Sequence, residues 1–209
     1  MRLSDPTPLI TVPVIPVVTI DRVDHAVPLA KALLAGGLPA VEVTLRTPAA
    51  FDAIRAIVAE VPDVIVGVGT VTKPLDVTRA LDAGADFLVS PGTPASLVQA
   101  LVDAPIPVLP GCATVSEAMT LAGLGFSVLK FFPAEPSGGV RWLSAVAEPL
   151  PDIRFCPTGG VNGNNAAAYL ALPNVLAVGG SWVASPQAIA AGDFAGITGR
   201  ARAAVALRK

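Results

Sequence analysis

The chain of 209 residues contains a single histidine, His25, and only two cysteines, Cys112 and Cys156. The cysteines stand far apart with no CxxC spacing, which leaves no paired-cysteine redox motif and too few soft ligands for a transition-metal site. Both thiols are read as reduced and structural, and no metal or other cofactor is expected. Charge is scarce too: Asp, Glu, Lys and Arg make up 14% of the residues, the net charge is -2, and no basic run occurs. Without such a footprint, nucleic acid and membrane surfaces are excluded as expected partners, and small molecules remain. Long uninterrupted apolar runs are also missing. Pro13 and Pro16 break the stretch from Leu9 to Ile20, and no small-residue cleavage site follows, so no export signal is read there. Residues 155–192 carry no Asp, Glu, Lys, Arg or His, but their recurring Gly, Pro and Asn do not suit a membrane span. The expectation is a cytoplasmic enzyme.

Hydrophobic residues make up 53% of the chain, and no linker divides it, so one domain over residues 1–209 is expected. Eight short β-branched or apolar runs recur at near-equal intervals: Val14 to Thr19, Ala40 to Leu45, Val64 to Thr70, Ala85 to Ser90, Pro107 to Pro110, Ser127 to Phe132, Ile153 to Thr158 and Val175 to Gly180. Helix-like segments separate them. Asp21 or Asp24 can cap a helix to about Ala35, Thr47-Pro48 opens one to about Glu60, and Thr72, Thr93 and Thr114 stand where later ones begin. Thr114 with Glu117 forms a capping box. Asn162 to Asn165 begins a short helix, and a last one over about 193–207 carries Arg200, Arg202 and Arg208 toward its C-terminal half, where cations suit the dipole. A parallel strand needs a crossover helix before the next can start, so this alternation predicts an α/β fold. Near-equal repeats without a switch point favour an eight-stranded parallel β/α (TIM) barrel over an open doubly wound sheet.

A barrel of this length leaves room for few insertions, so its site should lie at the C-terminal strand ends. Lys130 is the misfit there. Strand alternation puts Val128, Lys130 and Phe132 on one face of an apolar run, where an ammonium is costly to bury unless it is paired or gives up its proton. A strand-end lysine that snorkels to solvent is the bland alternative. On the second run, Glu42, Thr44 and Arg46 share the inward face, either as a structural ion pair or as an anion-binding Arg46 above a proton-moving Glu42. On the third, parity assigns Val66, Val68 and Thr70 inward, and the fourth ends in the stiff turn Ser90-Pro91-Gly92. Gly159-Gly160 after the seventh run and Gly179-Gly180-Ser181 at the eighth stand where backbone N–H groups cradle phosphate in barrels. A lysine, a carboxylate and a phosphate cradle together favour carbonyl chemistry through a Schiff base, because an unprotonated amine can add to a ketone.

These residues resemble the 2-keto-3-deoxy-6-phosphogluconate (KDPG) aldolase / 4-hydroxy-2-oxoglutarate (KHG) aldolase family. The likeness is carried by Glu42-Val-Thr-Leu-Arg46-Thr47, Val66-Gly-Val-Gly-Thr70-Val71, Ser90-Pro91-Gly92, Lys130-Phe-Phe-Pro-Ala134-Glu135, Phe155-Cys-Pro-Thr158-Gly-Gly160 and Gly179-Gly-Ser181-Trp182. The resemblance implies a homotrimeric β/α barrel and a class I aldolase of the Entner-Doudoroff pathway, cleaving KDPG to pyruvate and glyceraldehyde 3-phosphate. It implies Lys130 as the Schiff-base lysine, Glu42 as the general acid/base, and Arg46, Thr70 and Pro91 around the pyruvate portion; Phe132, an apolar wall beside Lys130, is a further candidate for substrate binding. Thr158 would contact the hydroxylated portion, and Gly159, Gly160, Gly179, Gly180 and Ser181 the phosphate. Arg46 and Thr158 follow the gluconate pattern rather than that of the galactonate epimer, where an asparagine and an apolar residue tend to stand. Cys112, in a turn that varies within the family, leaves 4-hydroxy-2-oxoglutarate cleavage open. A phosphosugar isomerase or a non-catalytic phosphate-binding barrel, with Lys130 acting only as a charge, is the alternative of a different class.

Overall fold

The computed structural model describes residues 12–207. The start of the broken apolar run and Arg208 lie outside the described residues. The strands are β1 (Val14–Val18), β2 (Ala40–Thr44), β3 (Ile65–Gly69), β4 (Phe87–Val89), β5 (Val108–Leu109), β6 (Gly111–Cys112), β7 (Val128–Phe131), β8 (Arg154–Pro157) and β9 (Val178–Gly180). All pairings between them are parallel. The helices are α1 (Ala26–Ala35), α2 (Ala50–Glu60), α3 (Pro74–Asp82), α4 (Ala95–Val102), α5 (Val115–Gly123), α6 (Gly139–Ala147), α7 (Ala166–Leu170), α8 (Pro186–Ala190) and α9 (Phe194–Val205). None is long and apolar enough to cross a membrane, among the described residues.

The expected closed eight-stranded barrel is corrected by the pairing. The strands form a six-stranded half-barrel sheet in the order β5-β4-β3-β2-β1-β9 and a separate three-stranded sheet, β6-β7-β8. One seam falls at Pro110, which has no N–H to donate and splits the expected fifth strand: β5 stays with β4, whereas β6 pairs with β7. At the other seam, beside Pro157, pairing shrinks to isolated bridges between Phe155 and Val175 and between Thr158 and Gly179. The fold is an incomplete barrel, and neither proline announced a break because each sits at the end of an apolar run.

Alternation along the strands separates two cores. Val41, Val43, Val66, Val68, Leu88, Leu129, Phe131, Phe155 and Val178 pack outward, in the large cluster that also takes in Leu29, Leu33, Ile54, Ile57, Leu97 and Leu101 of the helices. Ile15, Phe87, Val89, Leu109, Val128, Cys156 and Ala177 form a small inner cluster. Full burial of a leucine or valine side chain contributes about 1.5–3 kcal/mol, so the outer layer carries most of the apolar stabilisation. Val66 and Val68 thus reverse the expected parity of the third strand. Gly67 and Gly69 face inward instead: a Cβ on Gly67 would lie 2.1 Å from the Phe87 ring, and one on Gly69 would lie 2.1 Å from Glu42 Oε1. Large side chains from the neighbouring strands fill the interior there, and β3 adds Ile65, at its start, to the inner cluster.

Helix starts follow the sequence unevenly. Thr114 and Glu117 form their reciprocal capping box at α5, and Asp193 accepts from Gly196 N–H at the start of α9. At α1 neither aspartate caps. A 3₁₀ turn, Val23–His25, precedes the helix, and Asp24 is taken by an exposed ion pair with Arg22. Thr47 donates its hydroxyl to the Ile20 carbonyl rather than capping α2. The single histidine, His25, ends the 3₁₀ turn and is half-buried edge-on to Phe194 at 5.9 Å.

Candidate active site

Lys130, on β7, lies opposite Gly111 of β6 and Cys156 of β8. Its Nζ donates to Glu42 Oε1 at 3.0 Å across the interior, and the two residues are only 3% and 4% exposed. A dry ion pair of this kind adds little net stability, because desolvation offsets the attraction. What it provides is an amine held against a carboxylate where water is nearly absent. Glu42 is given its place by β2 and by the missing side chain at Gly69. The Phe132 ring centroid lies 5.4 Å from Nζ, near enough for a cation–π contact.

A cavity of about 190 Å³ opens beside Phe132 and is lined by Val17, Thr19, Arg46, Phe132, Thr158, Gly159, Gly160, Val161, Gly180, Ser181 and Pro186. It therefore unites seven of the residues singled out from the sequence: Arg46, Phe132, Thr158, Gly159, Gly160, Gly180 and Ser181. Gly179 stands against Thr158, whose Oγ1 a Cβ there would meet at 2.3 Å. Lys130 and Glu42 lie behind this lining, next to Phe132 and opposite Val17, and Thr70 and Pro91 are not in it either. Thr70 follows Gly69 with a left-handed φ of 64°, so strand parity does not set its direction. Pro91 lines a separate opening with Thr72, Gly92, Thr93, Pro94 and Glu117, and its carbonyl is packed on Gly111. A larger, wide-mouthed cavity of about 650 Å³, lined by Glu135 and by Gly138 to Trp142, shares no residue with the lining beside Phe132.

The Gly159-Gly160 turn has φ values of 98° and 82°, conformations that suit glycine. Its carbonyls are tied back. Gly159 O accepts from Glu135 N–H at 3.0 Å, and Gly160 O accepts from the side-chain amides of Asn162 at 3.2 Å and Asn165 at 3.1 Å. Across a trans peptide the following N–H points the opposite way. The N–H groups of Gly160 and Val161 have no hydrogen-bond partner among the described residues, which equips the turn to receive an anion. Glu135 also packs on the turn, since a Cβ on Gly160 would lie 2.6 Å from its Cγ, and the fully buried Tyr169 donates its hydroxyl to Glu135. Burial and that carboxylate push the Tyr169 phenol above its ordinary range.

Sequence reasoning missed Thr19 and Val17, although their parity with Ile15 of the inner cluster was available, and it missed the brace of Glu135, Tyr169, Asn162 and Asn165. No local pattern marks that brace, because its members meet only in three dimensions. The cysteines take no part in acid–base work at neutral pH: burial, with the charge of Glu42 adding, pushes the Cys156 thiol up to about 12, and burial with Glu117 does the same for Cys112 to about 12. Cys112 belongs to the outer core and does not line the cavity. No group of three or more His, Cys, Asp or Glu is placed to hold a metal ion, among the described residues.

The family model "Aldolase: KDPG and KHG aldolase" matches residues 7–199. The chain belongs to the KDPG and KHG aldolase family. Among family members, the KHG/KDPG aldolase of Escherichia coli (strain K12) is 51% identical over 197 residues, spanning 94% of this chain and 92% of its own length. The 2-dehydro-3-deoxy-phosphogluconate aldolase of Dickeya dadantii (strain 3937) is 52% identical over 194 residues, covering 93% and 91%. The solved KDPG aldolase of Legionella pneumophila superposes with a TM-score of 0.94 at 42% identity, over 97% of this chain and 98% of that one. Its structure has pyruvate captured at low pH as a covalent carbinolamine intermediate.

Proposed function

We propose that this chain is a class I aldolase that cleaves KDPG to pyruvate and glyceraldehyde 3-phosphate in the Entner-Doudoroff pathway, with Lys130 as the nucleophile and Glu42 as the proton carrier. The observation that carries this reading is the buried 3.0 Å contact between the amine and the carboxylate beside the cavity of Arg46, Thr158 and the glycine turns. The names of the relatives and the carbinolamine of the Legionella enzyme support it.

In this mechanism the Lys130 amine adds to the C2 ketone. Glu42 takes one proton from the Lys130 ammonium to free the amine and delivers it to the C2 oxygen, then takes a second from the nitrogen and delivers that too, so that the oxygen leaves as water to give the iminium. A base then removes the C4 hydroxyl proton, the C3–C4 bond breaks, and its electron pair moves into the iminium to form an enamine while glyceraldehyde 3-phosphate departs. Protonation at C3 and addition of water release pyruvate and regenerate the amine. Arg46 is suited to pair with an anionic group, and the free N–H groups at Gly160 and Val161 are suited to the phosphate. Thr70 and Pro91, apart from the cavity lining, are assigned to the edge of the pyruvate site. A cytoplasmic homotrimer is part of the same proposal.

Incubation with pyruvate and borohydride, followed by digestion and mass measurement, should place a reduced adduct on the peptide containing Lys130. Its absence would sink the Schiff-base reading. An adduct without release of pyruvate from KDPG would leave the amine chemistry intact and redirect the substrate assignment toward 4-hydroxy-2-oxoglutarate or the galactonate epimer.

A further inference from the structure

Thr19, just past the end of β1, has no part in the mechanism above, yet its hydrogen bonding gives it a defined chemical sense. The neighbouring Thr44 is completely buried, and its Oγ1 donates to the Val18 carbonyl at 2.9 Å. The same Oγ1 lies 3.0 Å from Thr19 Oγ1. A threonine hydroxyl has one proton and two acceptor positions. With the Thr44 proton on the carbonyl, the Thr19–Thr44 contact is a hydrogen bond only when Thr19 donates. Thr19 then has no proton left for the cavity that it lines, and what it offers there is an acceptor oxygen.

The surroundings make that polarity informative. Arg46 and the turn N–H groups are donors, suited to the anionic groups of a substrate, and an acceptor among them is suited to a neutral hydroxyl. The position is also set. β1 pairs on one side with β9, Pro16 opposite Gly180, and on the other with β2, Val17 opposite Glu42. Thr19 therefore stands between the strand leading into the Gly180-Ser181 turn and the strand that carries Glu42 and precedes Arg46.

We propose that Thr19 determines specificity by accepting a hydrogen bond from the substrate hydroxyl on the carbon next to the phosphate-bearing one. This rests on the phosphorylated-substrate reading given above. The test is aldol addition of pyruvate to two aldehydes: glyceraldehyde 3-phosphate, and 3-oxopropyl phosphate, which lacks that hydroxyl. Thr19→Val should lose about tenfold in kcat/KM with the first aldehyde and less than about twofold with the second, the size expected of one neutral hydrogen bond. Thr19→Ser should retain the preference of the wild type. Equal loss on both aldehydes, or no loss on either, overturns the role of Thr19 alone. A wild-type enzyme that uses neither aldehyde while pyruvate still traps on Lys130 overturns the phosphorylated-substrate reading as well.

Discussion

At one end of the site Lys130 and Glu42 are fixed as side chains, buried together at 3.0 Å, whereas at the other end the Gly159-Gly160 turn is fixed as backbone by residues that stand behind it. The first arrangement depends on excluding water, as the proposed proton transfer between the two groups requires. The second depends on keeping carbonyls turned away, because an anion needs N–H groups and its own charge needs solvent nearby. Each end therefore has its own kind of weakness. Removing a functional group should stop turnover at the first, while at the second the loss of a supporting group should weaken substrate binding and spare the chemistry.

The largest effect is expected at the buried pair. Glu42→Gln keeps the shape and one hydrogen-bonding oxygen but cannot carry a proton, so kcat should fall by about two to four orders of magnitude. Borohydride should still trap pyruvate on Lys130 in this variant, only more slowly. Steady-state turnover together with the adduct mass checks both halves of the statement; near-normal turnover would remove Glu42 from the mechanism and leave the pair a structural one.

A smaller effect, of a different kind, is expected behind the turn. Tyr169→Phe removes the hydroxyl that holds Glu135 against Gly160 while leaving the buried ring in place. One such hydrogen bond is worth about 0.5–1.5 kcal/mol, so KM for the phosphorylated substrate should rise about two- to tenfold with kcat unchanged. Pyruvate trapping, which needs no phosphate site, should proceed at the wild-type rate. A fall in kcat with constant KM would break the contrast between the two ends.

The same contrast explains what could be read from the chain beforehand. Lys130, Glu42 and Arg46 were legible because a charge at an inward position of an apolar strand is conspicuous against simple alternation. The glycine turns were legible from their positions at the ends of the last two runs. The brace was not, because Glu135, Tyr169 and the asparagines act through contacts between separate elements. Thr19 was hidden for another reason: a threonine at a strand end is ordinary, and its acceptor character emerges only once Thr44 is seen to spend its proton on Val18. The fold was legible as repeating β/α units. Its interruption was not, because Pro110 and Pro157 end apolar runs, where a proline reads as a boundary rather than a gap in pairing. Parity failed on β3 for a packing reason, as Phe87 and Glu42 had already filled the interior.

The smallest effect serves as a control at the start of α5, outside the cavity of Arg46 and the glycine turns. Thr114 and Glu117 close the start of α5, where Glu117 accepts from the N–H groups of Ala113 at 2.8 Å and Thr114 at 2.9 Å. Thr114→Ala should cost about 1 kcal/mol in stability and leave both kcat and KM unchanged, measured by urea unfolding and steady-state kinetics. The bond from Ala113 N–H, followed by those from Thr114, holds the Glu117 carboxyl below its ordinary range. A carboxyl lowered in the folded state stabilises above its unfolded pKa, about 4.3, and that contribution is lost as the pH falls through the lower folded value. The stability difference between wild type and Glu117→Gln should therefore be full near pH 7 and shrink below about pH 4. If either α5 variant changed KM, the capping of α5 would be coupled to the site through the opening that Glu117 shares with Pro91, and the separation of the site into two independently supported ends would fail.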